Sequence, residues 1–345
     1  MSEPKLSVII PTHNRPEKLA SLLACLRRQD LAASAYEIIV VDDNSVPPVV
    51  LTASADGPRV TLMRLDETER SIARNIGAAI AAGEWLVFLD DDLTVEDDFL
   101  SCHLGARDQW PKALVVGSIR LPGETLQTPF GRFRQRLEDQ GLPQEAGQAP
   151  SPNFCTAANM SLARETFQAV AGFDGAIISS EDQDFALRHT ARGGHIVFLP
   201  QARAVHWDTS LDIRSYCGRS EWGSKHMTPF CRRYPDWPDN VERDKVNGPL
   251  QFGREPLGQS LRKSVKSALA LKPVGEILFF IAAFLERATP NSAMLEIVYR
   301  LLLGAHIFRG YRAGLALYRT SETAQENVPG ARNSSLVRES PVKNI

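Results

Sequence analysis

The stretch Trp85–Leu93, WLVFLDDDL, decides how this chain is read. Five mostly large, apolar residues run straight into three carboxylates, Asp90, Asp91 and Asp92. A short apolar run bounded by polar residues reads as a buried strand of a parallel sheet. Ligands of open α/β sheets bind beyond the carboxyl ends of the strands, so the aspartates stand where such sheets hold substrates. Three adjacent carboxylates repel one another unless protons or a cation intervene. A hard divalent cation takes oxygen ligands and commonly brings substrate phosphates with it. A solvated acidic turn that caps the next helix is the plainer alternative.

Towards the N-terminus the same pattern repeats. Leu6–Ile10 is a short apolar strand, stopped by Pro11-Thr12-His13-Asn14-Arg15-Pro16. A helix follows to about Arg28, with Thr12 or Asn14 able to cap it and Pro16 suited to its first turn. Tyr36–Val41 is a second strand ending in Asp42-Asp43-Asn44-Ser45, and Val60–Leu65 a third. Ser71–Ala82 is a helix with Gly83 as its stop. Alternating strands and helices predict a doubly wound α/β fold with a mostly parallel sheet. A turn explains one polar strand end adequately. It is a strained explanation for three neighbouring ones.

Arg70 and Arg74 open the helix before the central strand. Arginine's planar fork suits phosphate, and a helix N-terminus adds backbone donors. Arg74, one turn further in, is the stronger candidate. Later in the chain, Ser180 can cap a helix whose first turn holds Glu181, Asp182 and Asp184. The helix dipole alone favours acids there. The functional alternative is a carboxylate that takes a proton from a hydroxyl as general base. His206 and Trp207 follow the next strand, and neutral imidazole suits Mn²⁺ better than Mg²⁺.

Composition sets the bounds. A chain of 345 residues with a net charge of −2 can bury a sizeable core and carries no nucleic-acid footprint in its totals. Five cysteines (25, 102, 155, 217, 231) show neither metal spacing nor a disulfide framework, which fits a reducing compartment. No secretory signal and no stretch of about 18 uninterrupted apolar residues is seen, so a cytoplasmic location is expected.

LSVIIPTHNRPEKLASLL, YEIIVVDDNS and RSIARNIGAAIAAGEWLVFLDDDL, in this order, resemble the family 2 glycosyltransferases, which share the nucleotide-sugar-binding GT-A fold. The resemblance covers about residues 5–210. It implies an inverting transfer of a sugar from a nucleotide-diphosphate donor, UDP being the commoner nucleotide, to a hydroxyl on a glycan, lipid or small molecule. It implies donor-side roles for Pro11, Thr12, Asn14 and Arg15 in the first loop, for Asp43 at the base, and for Arg74, Asp90 and Asp91. Asp92 falls on the metal-binding end of a D-x-D motif, so Mn²⁺ or Mg²⁺ is the implied cofactor. His206 falls where some members place a second metal contact. Asp182 falls on the catalytic base, with Asp184 as runner-up and Glu181 and Asp184 on the acceptor side; Trp207 either packs beside the sugar on that side or fills the core. A nucleotidyltransferase would usually carry a glycine-rich basic loop where this chain has Pro11–Asn14. A non-catalytic sugar- or membrane-binding module would not need both acidic clusters.

The remainder divides by composition. Residues 1–238 form the catalytic domain, within which 122–152 reads as a mobile excursion with a short helix at Phe130–Gln140. Residues 239–260 read as a linker, 261–320 as a basic amphipathic helical region, and 321–345 as a disordered tail. The helical region is expected either to lie on an anionic membrane surface or to pack on the catalytic domain or a second copy of the chain.

Overall fold

The computed structural model describes residues 3–51, 57–66, 68–208 and 211–326. Eight strands among these form one sheet: β1 (Leu6–Thr12), β2 (Tyr36–Asp42), β3 (Arg59–Arg64), β4 (Trp85–Leu89), β5 (Leu93–Val95), β6 (Ala113–Arg120), β7 (Asn159–Ala163) and β8 (His195–His206). Their order across the sheet is β3-β2-β1-β4-β7-β6-β8-β5. β3, β2, β1 and β4 pair in parallel, as do β6 and β8, while β7 and the short β5 run antiparallel to their neighbours. The sheet is therefore mostly parallel in strand direction, as expected from the alternation of elements.

The apolar runs alternate between two cores. Leu6, Val8 and Ile10 of β1, with Val87 and Leu89 of β4, pack beneath α1 (Pro16–Leu26) and α3 (Phe99–Gln109). Ile9 of β1 and Leu86 and Phe88 of β4 face the other layer, which includes α2 (Arg70–Ile80). This period of two is the strand pleat, and it makes the sheet doubly covered. Each such fully buried Val, Leu or Phe contributes about 1.5–3 kcal/mol. Gly83 serves close packing rather than helix termination: a Cβ there would sit 2.7 Å from the Leu6 carbonyl carbon.

Between β6 and β7 lie α4 (Gly123–Leu126) and α5 (Pro129–Asp139). The latter is no free excursion, because Phe130 and Phe133 are buried in a third core. After β7 come α6 (Arg164–Ala169) and α7 (Glu181–Ala191), then β8. The ladder between β6 and β8 slips, Gly117 pairing with Leu199 but Ser118 with Arg203. The Asn159 amide fills the slip by donating to the carbonyls of Ser118 (3.1 Å) and Ala202 (2.9 Å). Such an irregularity re-aims the end of a strand. The end of β8 carries His206.

The chain closes with α8 (Ile213–His226), α9 (Thr228–Arg233), α10 (Pro238–Asn247), α11 (Leu257–Leu269), α12 (Lys272–Ala288) and α13 (Ala293–Glu326). Residues 239–260 differ from the expected linker. They contain most of α10 and the start of α11, and Tyr311 Oη of α13 donates to Asp244 Oδ1 at 3.1 Å. Phe279 of α12 and Leu295, Tyr299 and Leu302 of α13 share the third core with α5 and α8. The C-terminal helices α12 and α13 are thus joined to α5 and α8 through an apolar core. Of the expected disordered tail, 321–326 belong to α13, and 327–345 lie outside the described residues.

Candidate active site

β2, β1 and β4 are neighbours, so their carboxyl ends place Asp42-Asp43, the Thr12–Arg15 loop and Asp90–Asp92 side by side. Thr12 does not cap α1. Its Oγ1 donates to Asp91 Oδ2 at 2.7 Å, and the N-cap position falls on Arg15 without a side-chain cap. Arg15 Nη1 reaches Asp91 Oδ1 at 3.1 Å and Asp92 Oδ2 at 2.8 Å. Burial works against the Arg15 charge, but Asp91 and Asp92 outweigh it and hold its pKa above the ordinary value. Burial pushes Asp91 up despite the Thr12 bond.

Asn14 does not cap α1 either. It sits at φ 55°, in the left-handed region that Asn tolerates. Its N–H donates to Ser45 Oγ at 2.9 Å, and its Oδ1 accepts from Val46 N at 2.7 Å. The first loop is thereby tied to the second strand end. Pro11 lies buried in β1, opposite Val41. Asp42 turns inward to Arg64 Nη1 (2.5 Å) and the amides of Ser45 (2.8 Å) and Val49 (3.1 Å), a structural role. Asp43 accepts from Glu69 N at 2.8 Å, and burial raises its pKa.

The second acidic cluster comes from α7 and meets the first across Arg74. That residue is 1% exposed. Its Nη2 donates to Asp90 Oδ1 at 2.7 Å, and its Nη1 lies 3.2 Å from Glu181 Oε1 and 3.7 Å from Asp182 Oδ1. Arg70 adds a 3.0 Å ion pair to Glu181. Burial opposes the charge on Arg74, but Asp90, Asp182 and Glu181 outweigh it and raise its pKa. Burial also works against the Asp90 carboxylate, which Arg74 and Arg70 nevertheless hold below its usual range. Asp182 behaves in the opposite sense: burial and the neighbouring Glu181 push it up to about 7. Its Oδ1 is buried and accepts no hydrogen bond among the described residues. A carboxyl pushed up to about 7, with one oxygen that is near Arg74 but accepts no hydrogen bond among the described residues, is suited to proton transfer.

Asp184 points elsewhere. Fully buried, it bonds Arg188 Nε (2.8 Å), Arg233 Nη1 (3.0 Å) and Tyr234 Oη (2.8 Å). Oδ1 holds α7 to Arg233 and Tyr234 at the end of α9 and Oδ2 holds Arg188 within α7, so both oxygens are engaged, which corrects its placement on the acceptor side. Ser180 is the α7 N-cap, but at φ 75° and with no side-chain cap bond.

Asp92 and His206 meet at the far end of the aspartate run. His206 Nε2 lies 3.3 Å from Asp92 Oδ1, a buried oxygen that accepts no hydrogen bond among the described residues. Lys18 Nζ is 4.0 Å from Asp92 Oδ2 and donates to the Trp207 carbonyl. Trp207 is 42% exposed, with its indole N–H donating to Thr94 Oγ1 at 2.9 Å. Among the described residues no three His, Cys, Asp or Glu converge on a metal position. The pair itself, one carboxylate oxygen and one imidazole nitrogen, is a donor set that suits Mn²⁺ when substrate oxygens complete the shell.

Residues 7–167 match the glycosyl transferase family 2. Through this segment, just under half of the chain, the protein is similar to that family. It is 32% identical over 194 residues to an uncharacterized glycosyltransferase of Haemophilus influenzae, covering 53% of this chain and 61% of that one. It is 30% identical over 224 residues to the O-antigen biosynthesis protein RfbC of Myxococcus xanthus, covering 60% of this chain and 18% of that one. The chain therefore spans less than two thirds of either relative. In fold it is similar to the mannosyltransferase PcManGT of Pyrobaculum calidifontis, solved with GDP-Man and Mn²⁺. The TM-score is 0.56 at 18% identity, over 90% of this chain and 88% of that one.

Within this site, two contributors escape a reading of sequence. Glu69 accepts from the amides of Ser71 (3.1 Å) and Ile72 (2.7 Å), capping α2 and so orienting Arg70 and Arg74. A carboxylate immediately before a helix is its available signal. Lys18 follows Arg15 by three residues on α1, the spacing that puts two cations on one helix face.

Proposed function

We propose that the chain is an inverting glycosyltransferase that moves a sugar from a nucleotide-diphosphate donor, UDP-linked in the first instance, to an acceptor hydroxyl. The observation that carries this reading is Arg74, buried between Asp90 of the donor-side run and Asp182 of α7. It links a carboxyl that burial and Glu181 push up to about 7 with the carboxylates and cations at the strand ends.

The chemistry is one displacement. The acceptor oxygen bonds to the anomeric carbon as the bond from that carbon to the diphosphate oxygen breaks. Asp182 takes the hydroxyl proton, and the nucleoside diphosphate departs with the electron pair. Inversion follows from a single attack opposite the leaving group, and no covalent sugar–enzyme intermediate is needed. Asp43, with Pro11, Thr12 and Asn14 shaping the adjoining loop, accommodates the nucleoside. Arg15 sits at the donor end of the run, and Arg74 fixes Asp90 while lending positive charge towards the diphosphate. Glu181 holds Arg70 and Arg74 in place.

Asp92 and His206 would hold a divalent ion, Mn²⁺ or Mg²⁺. Such an ion supplies charge neutralisation to the departing diphosphate. The fold neighbour solved with GDP-Man and Mn²⁺ supports the compatibility of this fold with donor and ion together. A relative named for O-antigen biosynthesis supports a glycan as acceptor class.

A thermal-shift screen of UDP, GDP and dTDP, each with and without Mn²⁺, tests the reading. Stabilisation by one nucleotide, enlarged by the ion, is expected. No shift with any nucleotide in a folded sample would favour a non-catalytic module.

A further inference from the structure

Helices α11 and α12 carry exposed apolar side chains that no other described part of the chain covers. Leu257, Leu261 and Val265 recur every four residues along α11 and are exposed. On α12, Ile277, Phe280 and Phe284 form a second exposed stripe, with Phe280 76% exposed. The opposite side of α12, Gly275, Phe279 and Ala282, is buried against the protein. The adjoining α13 continues the pattern with Met294, Ile297 and Leu301. Scattered surface leucines are ordinary, but apolar stripes on consecutive helices are not.

Charge identifies the occupant. Residues 254–320 hold ten Lys and Arg against four Asp and Glu. All four acids are committed. Glu255 pairs with Lys263 at 2.6 Å and Glu276 with Arg214 at 2.8 Å, Glu286 accepts from Tyr299 Oη at 2.7 Å, and Glu296 pairs with Arg136. Arg254, Arg262, Lys272 and Arg287 are exposed and make no side-chain hydrogen bond or ion pair among the described residues. Apolar stripes among uncommitted cations complement a surface that is apolar within and anionic at its rim. No single described helix is long and apolar enough to cross a membrane, and α11 meets α12 at a bend of 77°. The two helices together reach spanning length and composition only across that bend, and amphipathic helices with one face buried on the protein and the other exposed suit the headgroup region of a bilayer. A second copy of the same face would bring like charges towards one another and is the less complementary occupant.

We propose that α11 and α12 dock the protein peripherally on an anionic lipid bilayer, the apolar stripes entering the interface and Arg254, Arg262, Lys272 and Arg287 meeting lipid phosphates. This goes beyond the transfer chemistry and does not depend on it.

The test is co-sedimentation of the full chain with vesicles of phosphatidylcholine alone or mixed with phosphatidylglycerol, at low and high salt. The wild type is expected to partition onto the anionic vesicles at least about tenfold better than onto neutral ones and to be released by salt. Two variants act separately: Phe280→Ser with Phe284→Ser removes apolar contact, and Arg262→Glu with Lys272→Glu and Arg287→Glu removes charge. Each alters exposed positions, so unfolding midpoints near wild type accompany an expected loss of at least about tenfold in partition. Equal partition on both vesicles, no partition, or folded variants that bind as wild type would overturn the proposal. So would a lipid-free dimer that the Phe280/Phe284 variant breaks, since a second copy would then be the occupant.

Discussion

His206 Nε2 stands 3.3 Å from Asp92 Oδ1 because the sheet puts it there. Leu93 and His206 are paired across β5 and β8, and Trp207 N donates to the Asp92 carbonyl at 2.8 Å. Two residues more than a hundred positions apart are thus held by backbone, not by side-chain choice. His206→Ala is expected to weaken Mn²⁺-dependent nucleotide binding by about tenfold, or roughly 1.4 kcal/mol. Asp92→Ala should lose the metal dependence altogether. Calorimetric titration with and without Mn²⁺ reads both, and unchanged affinity in either variant would remove that residue from ion binding.

Arg74 should be the most expensive single side chain to lose in this site. Its removal leaves Asp90, Glu181 and Asp182 close together and largely out of water. Breaking a buried charge pair costs about 3–5 kcal/mol, so Arg74→Ala should lower stability by that order. Arg74→Lys keeps the charge but not the fork, and should recover only part of the loss. Urea unfolding of the two variants against wild type makes the comparison, and a stable Arg74→Ala would show that the carboxylates do not need it.

The pH dependence follows from Asp182, whose pKa is about 7 in the folded chain against the usual 3.8. The folded state holds that proton to higher pH than the unfolded chain does. The associated stability is complete below about pH 4 and is lost as pH rises through about 7. Asp182→Asn cannot ionise, so its stability relative to wild type should rise over that window and stay level above it. Glu181, Arg70 and Arg74 face the same carboxyl and are present in both proteins. Catalysis should run the other way, with activity climbing through about pH 7 as the base ionises. Denaturant midpoints at several pH values check the first expectation and a pH–rate profile the second.

Asp184→Ala should injure stability rather than chemistry. It would strip Arg188, Arg233 and Tyr234 of their shared acceptor. The expected loss is about 3 kcal/mol, at the low edge for a broken buried pair because Arg233 is part-exposed. Nucleotide affinity should stay near wild type. A stable variant with poor binding would return Asp184 to the site.

The sheet was legible because each strand is a bounded apolar run, and the strand-end carboxylates stand out against such runs. What local pattern does not carry is which partner a polar residue chooses across the fold. Thr12 and Asn14 have the chemistry of helix caps, yet they bond Asp91 and the turn at Ser45 and Val46. By residue type and helix position Asp182 and Asp184 look alike, and the arrival of Arg233 and Tyr234, about fifty positions later, separates their bonding. α10 was hidden because a polar helix without an apolar stripe reads as a linker; contacts such as Tyr311 to Asp244 hold it. α5 was underestimated because Phe130 and Phe133 find their partners on α8 and α13.

The most direct measurement is the release of nucleoside diphosphate by Asp182→Asn, followed beside its affinity for the donor that the nucleotide screen selects. The expected result is donor binding near wild type with turnover lower by about 10²–10⁴-fold, the scale of a lost general base. Turnover equal to wild type in a variant that binds donor normally would contradict the assignment of Asp182 as the base.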